Sequence, residues 1–109
     1  MNLLKLRLKH EITQFELTVY LDMDQKTYHN IENGLTIRTR IEFFVKLAFL
    51  YDVSIDYLLG ITTLKGRFPK DMKEEVIEKY NIDLYLVKRL REKGTFQDLQ
   101  KDKSTAPSP

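Results

Sequence analysis

The 109-residue chain has no cysteine and no tryptophan, and only four glycines and three prolines. Without cysteine there is no disulfide framework, no zinc ribbon and no thiol nucleophile. A strong charge bias is also missing. Eighteen Lys and Arg against 16 Asp and Glu leave a net +2, which excludes a histone-like or polybasic binder. No apolar run approaches the roughly 18–20 residues needed to cross a bilayer. The first residues, Met1 to Arg7, lack the sustained apolar stretch and small-residue cleavage site of a signal peptide. A reducing, cytoplasmic setting without membrane attachment is expected. What is present is globular in character: 42% hydrophobic and 31% charged residues suit one small domain with an appendage and not a disordered chain.

Strand signals are scarce, and helical spacing with helix caps dominates. Leu3, Leu6, Arg7 and His10 recur at helical intervals, predicting a first helix from Leu3 to Glu11. Thr13-Gln14-Phe15-Glu16 is a capping box that opens a second helix to Leu21, because the Thr hydroxyl and the Glu carboxylate satisfy each other's backbone donors. Asp24 can cap a third helix over 25–33, with Gly34 suited to a left-handed stop. Thr39-Arg40-Ile41-Glu42 reads as a second capping box opening a helix to Tyr51, and Ser54 caps a short helix before Gly60. The fold class is therefore all-α: a five-helix bundle over residues 1–60, followed by a C-terminal helical extension. Residues 61–68 read as a linker. Pro69 suits the first turn of a new helix, with Met72, Val76 and Tyr80 on one stripe. Leu84, Val87 and Leu90 continue as another helix to Gly94, so that 69–100 hold a helical pair and 101–109 a disordered tail.

The span from Thr13 to Asn33 reads as helix, tight turn, helix. Leu17, Leu21, Met23, Tyr28 and Ile31 must meet inside, and a small residue, Thr18, must sit where the helices cross. With Tyr28 and Ile31 inward, Gln25, Lys26, His29, Asn30 and Asn33 point outward. Gln and Asn can pair bidentately with adenine, and Lys can reach guanine.

Three motifs at matching separations now stand together: Gln14-x-x-Leu17-Thr18, Ile31-Glu32-Asn33-Gly34 and Asp52-Val53-Ser54-Ile55-Asp56-Tyr57-Leu58-Leu59-Gly60. They resemble the helix-turn-helix domain of phage repressor and Cro proteins, also called the xenobiotic-response-element family, over residues 3–60. The resemblance implies a sequence-specific DNA-binding domain, used as a dimer on double-stranded DNA. It implies that Gln25, Lys26 and Asn30 touch base edges, and that Gln14, Thr27, Asn33, Arg38 and Arg40 touch the backbone. It also implies that Arg7 and Glu32 form a partly buried ion pair between the first and third helices. Three features depart from the pattern. Asp22 takes a turn site usually given to glycine, Tyr28 replaces a small aliphatic residue so that its hydroxyl needs a partner or solvent, and the loop after Gly34 is longer.

Other chemistries find little support. His10 and His29 have no acidic pair at ligand spacing, and no glycine-rich phosphate loop or nucleophile motif occurs. No metal, cofactor or enzymatic activity is expected. The fourth helix is too apolar for a single buried stripe. Phe43, Phe49 and Leu50 imply a further contact, with a twofold partner or with the C-terminal helices folding back. Those helices loosely echo a second helix-turn-helix, with Ile82, Val87 and Leu90 in the buried slots, and Lys88, Arg89, Arg91 and Lys93 forming a basic face. They serve as a dimerisation or packing pair, a second DNA-binding unit or a loose appendage. The expectation is a bacterial or phage transcriptional regulator, a repressor, acting as a homodimer on a near-palindromic operator and open to a regulatory protein partner. The alternative is a protein-binding module on the same fold, an antirepressor or antitoxin-like partner. Its motive is that residues 1–60 carry 7 basic against 8 acidic residues.

Overall fold

The computed structural model describes residues 1–36 and 40–93. Its helices are α1 (Leu3–Lys9), α2 (Gln14–Leu21), α3 (Gln25–Glu32), α4 (Ile41–Tyr51), α5 (Ile55–Leu59) and α6 (Lys73–Lys79), the last preceded by a 3-10 turn at Lys70–Met72. A further helix, α7, covers residues 84–93. No strand occurs among the described residues.

One turn chemistry recurs at four of the helix junctions. Glu11, Asp22, Asp52 and Asn81 all adopt the left-handed conformation, with φ of 56°, 56°, 52° and 50°. The residue after each one is apolar and sends its N–H back to a carbonyl five residues earlier. Ile12 bonds to Arg7 and Met23 to Thr18, both at 3.1 Å; Val53 bonds to Ala48 at 3.1 Å and Ile82 to Ile77 at 3.0 Å. Next comes a capping side chain: Thr13 accepts from the Glu16 N–H, Asp24 from Thr27, Ser54 from Tyr57 and Asp83 from Leu86. Each junction thus satisfies the orphan carbonyls of one helix and the orphan donors of the next within four residues. The left-handed residue costs roughly 1–2 kcal/mol when it is not glycine, and the apolar neighbour, buried in the core or, for Met23, packed against it, offsets that strain.

Two local expectations need correction. α1 stops at Lys9 and not at Glu11, because the left-handed Glu11 belongs to the turn. α4 starts at Ile41 with Arg40 as its cap and no side-chain cap bond. Thr39 lies outside the described residues, and Glu42, one position out of register for a capping box, accepts instead from the Arg40 guanidinium at 3.4 Å.

All elements share one core. Leu3, Leu6, Leu17, Leu21, Tyr28, Ile31, Leu47, Val53 and Leu58 join Phe68, Val76, Ile82, Val87 and Leu90 in a single buried cluster. The C-terminal pair folds back on α4, so Phe49 and Leu50 are buried within the chain. Phe68 stacks edge-on against Phe49, with ring centroids 5.5 Å apart. Arg91 donates to the Phe49 and Leu50 carbonyls at the end of α4, where a cation suits the helix dipole. Its guanidinium also lies 5.3 Å from the Phe49 ring centroid. The stretch read as a linker is docked too. Ser54 is bonded to the Lys65 carbonyl, Arg67 pairs with Asp52 at 2.8 Å, and a Cβ on Gly66 would meet Ser54 at 3.2 Å. Met72 falls in the 3-10 turn, off the stripe of Val76 and Tyr80, and is exposed.

Candidate nucleic-acid interface

α3 is eight residues long and polar apart from two positions. Tyr28 and Ile31 are buried at 0% and 2% exposure and fix the helix to the bundle. The opposite side carries Gln25, Lys26, Thr27, His29 and Asn33, all exposed, and Asn30, half-buried. The Asp24 carboxylate accepts from the Thr27 N–H at 2.6 Å, which holds the start of the helix and lowers the carboxyl's pKa. At the far end Asn33 donates its amide to the His29 carbonyl at 2.8 Å. Gln25, Lys26 and Asn30 therefore present two amides and an amine from one rigid turn and a half of helix.

What holds α3 at this angle is a partly buried polar cluster. The Arg7 guanidinium grips the Glu32 carboxylate with two bonds of 2.8 and 2.9 Å and reaches the Ile12 carbonyl at 3.1 Å. The Glu32 side chain is only 3% exposed. Burial alone would raise its pKa, but the bonds from Arg7, with Tyr28 and Gln14 nearby, bring it below the ordinary value. The ion pair ties α3 to α1 while the Gln14 amide donates to the same carboxylate at 3.3 Å, adding α2. The Tyr28 and Tyr51 hydroxyls are buried without a hydrogen-bond partner among the described residues. Burial, followed by Tyr51 and the Glu32 carboxylate, drives the Tyr28 hydroxyl's pKa above its usual range. α2 is locked from its other end as well: the Tyr20 hydroxyl donates to the Lys46 carbonyl at 2.7 Å, and the Lys46 ammonium donates to the Tyr20 carbonyl at 3.0 Å.

The remaining residues named from the sequence fall in different places. Gln14 stands at the start of α2, half-exposed. Arg40 is exposed but paired with Glu42, and it borders a groove of about 430 Å³ that also includes Asp22, Glu42 and Asp83. Arg38 lies outside the described residues. Two members of the expected basic face of Lys88, Arg89, Arg91 and Lys93 turn onto the protein instead. Arg91 binds carbonyls 41 and 42 residues away, and Lys93 pairs with Glu16, 77 residues away. No local pattern announces such partners. No group of His, Cys, Asp and Glu suited to a metal ion occurs among the described residues, and no described helix is long and apolar enough to cross a membrane.

No curated protein and no solved structure matches the chain significantly. A helix-turn-helix family does match, over residues 3–58, or 56 of the 109 positions. That span runs from α1 to the end of α5 and holds both the polar face of α3 and the Arg7–Glu32 anchor behind it. With more than half its length matched and the turn geometry in place, the chain belongs to the Cro/C1-type helix-turn-helix family of DNA-binding regulators.

Proposed function

We propose that the protein is a sequence-specific transcriptional regulator, a repressor, that reads the major groove with α3. Gln25, Lys26 and Asn30 contact base edges. Gln14, Thr27 and Asn33 contact the backbone, as do Arg40 and, outside the described residues, Arg38. A homodimer places two α3 helices on a near-palindromic operator with half-site centres about one helical turn, ~34 Å, apart. The observation that carries the reading is the division of α3 itself. Tyr28 and Ile31 are buried while Gln25 and Lys26 are exposed, so side chains able to bond bases sit on a helix whose back is anchored in the core. Sequence readout needs that rigidity, because a bidentate amide–adenine pair tolerates little misplacement.

The test begins with selection of bound duplexes from a random library. A recovered near-palindrome reports both recognition and symmetry. Asn30→Ala and Gln25→Ala should then each lose about 1–3 kcal/mol on the selected duplex and little on random DNA. Equal losses on both duplexes would remove the base-reading role. Asp22 and Asp24 put negative charge beside α3, and this favours the second reading, a protein-binding module. Failure of the wild-type chain to hold any duplex at low salt would select it.

A further inference from the structure

The family match ends at residue 58, yet α7 brings a basic stripe to the side of α2. Tyr85, Arg89 and Lys93 follow one another at four-residue steps and so share one flank of the helix. Together with Leu86, Leu90 and Glu16 they line a groove of about 320 Å³ between α7 and α2. Tyr85 is 72% exposed. Arg89 is exposed too, and it has no ion pair among the described residues. Lys93 fixes the placement of the stripe. Its ammonium pairs with Glu16 Oε1, the same oxygen that accepts the Thr13 N–H at 2.9 Å and the Thr13 hydroxyl at 3.1 Å. A single carboxylate oxygen thus joins the last described turn of α7 to the opening of α2. Lys88, adjacent to Arg89 in sequence, lies on the other flank, in a separate groove with Leu84, Val87, Arg91 and Glu92.

We propose that Tyr85 and Arg89, held in place by the Lys93–Glu16 pair, form a second DNA-backbone contact, extending the footprint of the helix-turn-helix unit past the start of α2. The proposal rests on α3 being the DNA-reading helix. Two observations carry it. The first is continuity: the Lys93–Glu16 pair ties the stripe to the first turn of α2, the turn that also carries Gln14. The second is charge. Residues 1–60 carry 8 acidic against 7 basic residues, whereas residues 61–109 carry 11 basic against 8 acidic, so attraction for a polyanion comes from the extension. Lys93 neutralises the one carboxylate at the opening of α2, and Arg89 is the free cation beside it. Contacts of this kind, made to phosphate, position DNA without specifying sequence.

The experiment measures binding of the full chain to a selected duplex and to a random one across a salt series. Arg89→Gln should lower the magnitude of the log K against log salt slope by about 0.9, the value of one phosphate contact, and weaken both duplexes by the same factor. Lys88→Gln removes the same charge from the other flank and should leave the slope at the wild-type value. Arg89 is exposed, so its variant should melt with the wild type, and a coincident melting curve rules out unfolding as the cause. An unchanged slope in Arg89→Gln, or an equal fall in Lys88→Gln, overturns the proposal and leaves α3 untouched. Wild-type protein that binds no duplex at any salt overturns both.

Discussion

The α2–α3 and α6–α7 pairs are built on one backbone plan and carry different outer faces. Asp24 and Asp83, 59 positions apart, each accept from the N–H three residues on, at 2.6 and 3.0 Å. Each follows a left-handed residue and an apolar one. In the same register Tyr28 answers to Val87 and Ile31 to Leu90, all four buried. Glu32 answers to Arg91, and each anchors its helix to a distant element. The outward positions diverge: Gln25, Lys26, His29 and Asn30 in the first pair stand against Leu84, Tyr85, Lys88 and Arg89 in the second. The first set can bond bases. In the second both amides are gone, Gln25 answering to Leu84 and Asn30 to Arg89, and the cations that remain suit phosphate. At the crossing point Thr18 is buried where Ile77 is only half-buried. Capping chemistry therefore specifies the turn, and the solvent-facing residues specify what the turn is for.

The anchors provide the largest test of this parallel. Arg7→Ala leaves the Glu32 carboxylate buried with the Gln14 amide as its remaining charge-stabilising bond, and should cost about 3–5 kcal/mol in denaturant unfolding. Arg91→Ala, at the corresponding anchor of the second pair, removes bonds to carbonyls that water can partly replace. It should cost about 1.5–3 kcal/mol. Equal losses would mean that the two anchors do the same job, and two separate transitions in either variant would mean that the shared core is not cooperative. A smaller effect is expected at Tyr28, where the counterpart Val87 has no hydroxyl to bury. The hydroxyl helps hold the Glu32 carboxylate charged, so Tyr28→Phe should lower stability by about 0.5–1.5 kcal/mol, read as a lower melting temperature.

The smallest effect concerns pH. His10 packs against the Tyr51 ring at 5.3 Å. Burial, then Lys9, Lys65 and Arg91, lower its pKa below the usual 6.5. The folded state resists protonating it, so its contribution is intact above the unfolded-state pKa and is lost as pH falls below it. Melting temperature should decline from pH 7 to pH 5.5, and His10→Gln should flatten that decline. A decline of the same steepness in the variant would assign the effect to other groups.

Much of the first half could be read locally. The Thr13–Glu16 box, the Asp24 and Ser54 caps and the left-handed Gly34 all act within four residues, and the structure holds each of them. The outward set on α3 follows from the same logic, since placing Tyr28 and Ile31 inward leaves the polar residues nowhere else to go. The Thr39–Glu42 pattern misled because a capping box depends on register, and the helix begins one residue late. The 61–68 stretch reads as a linker because its composition is turn-like, and nothing local shows that Phe68 enters the core at 2% exposure.

By itself the amino-acid order determined that the chain is helical, where its turns fall and which face of α3 is polar, because caps and periodicity depend on neighbours a few positions apart. Only the tertiary structure decided that Phe49 and Leu50 are covered by the chain's own C-terminal helices, that Arg91 ends α4 and that Lys93 meets Glu16. Those contacts join residues 41 to 77 positions apart. Their partners are chosen by how the packed helices stack, and no spacing rule in the sequence encodes that.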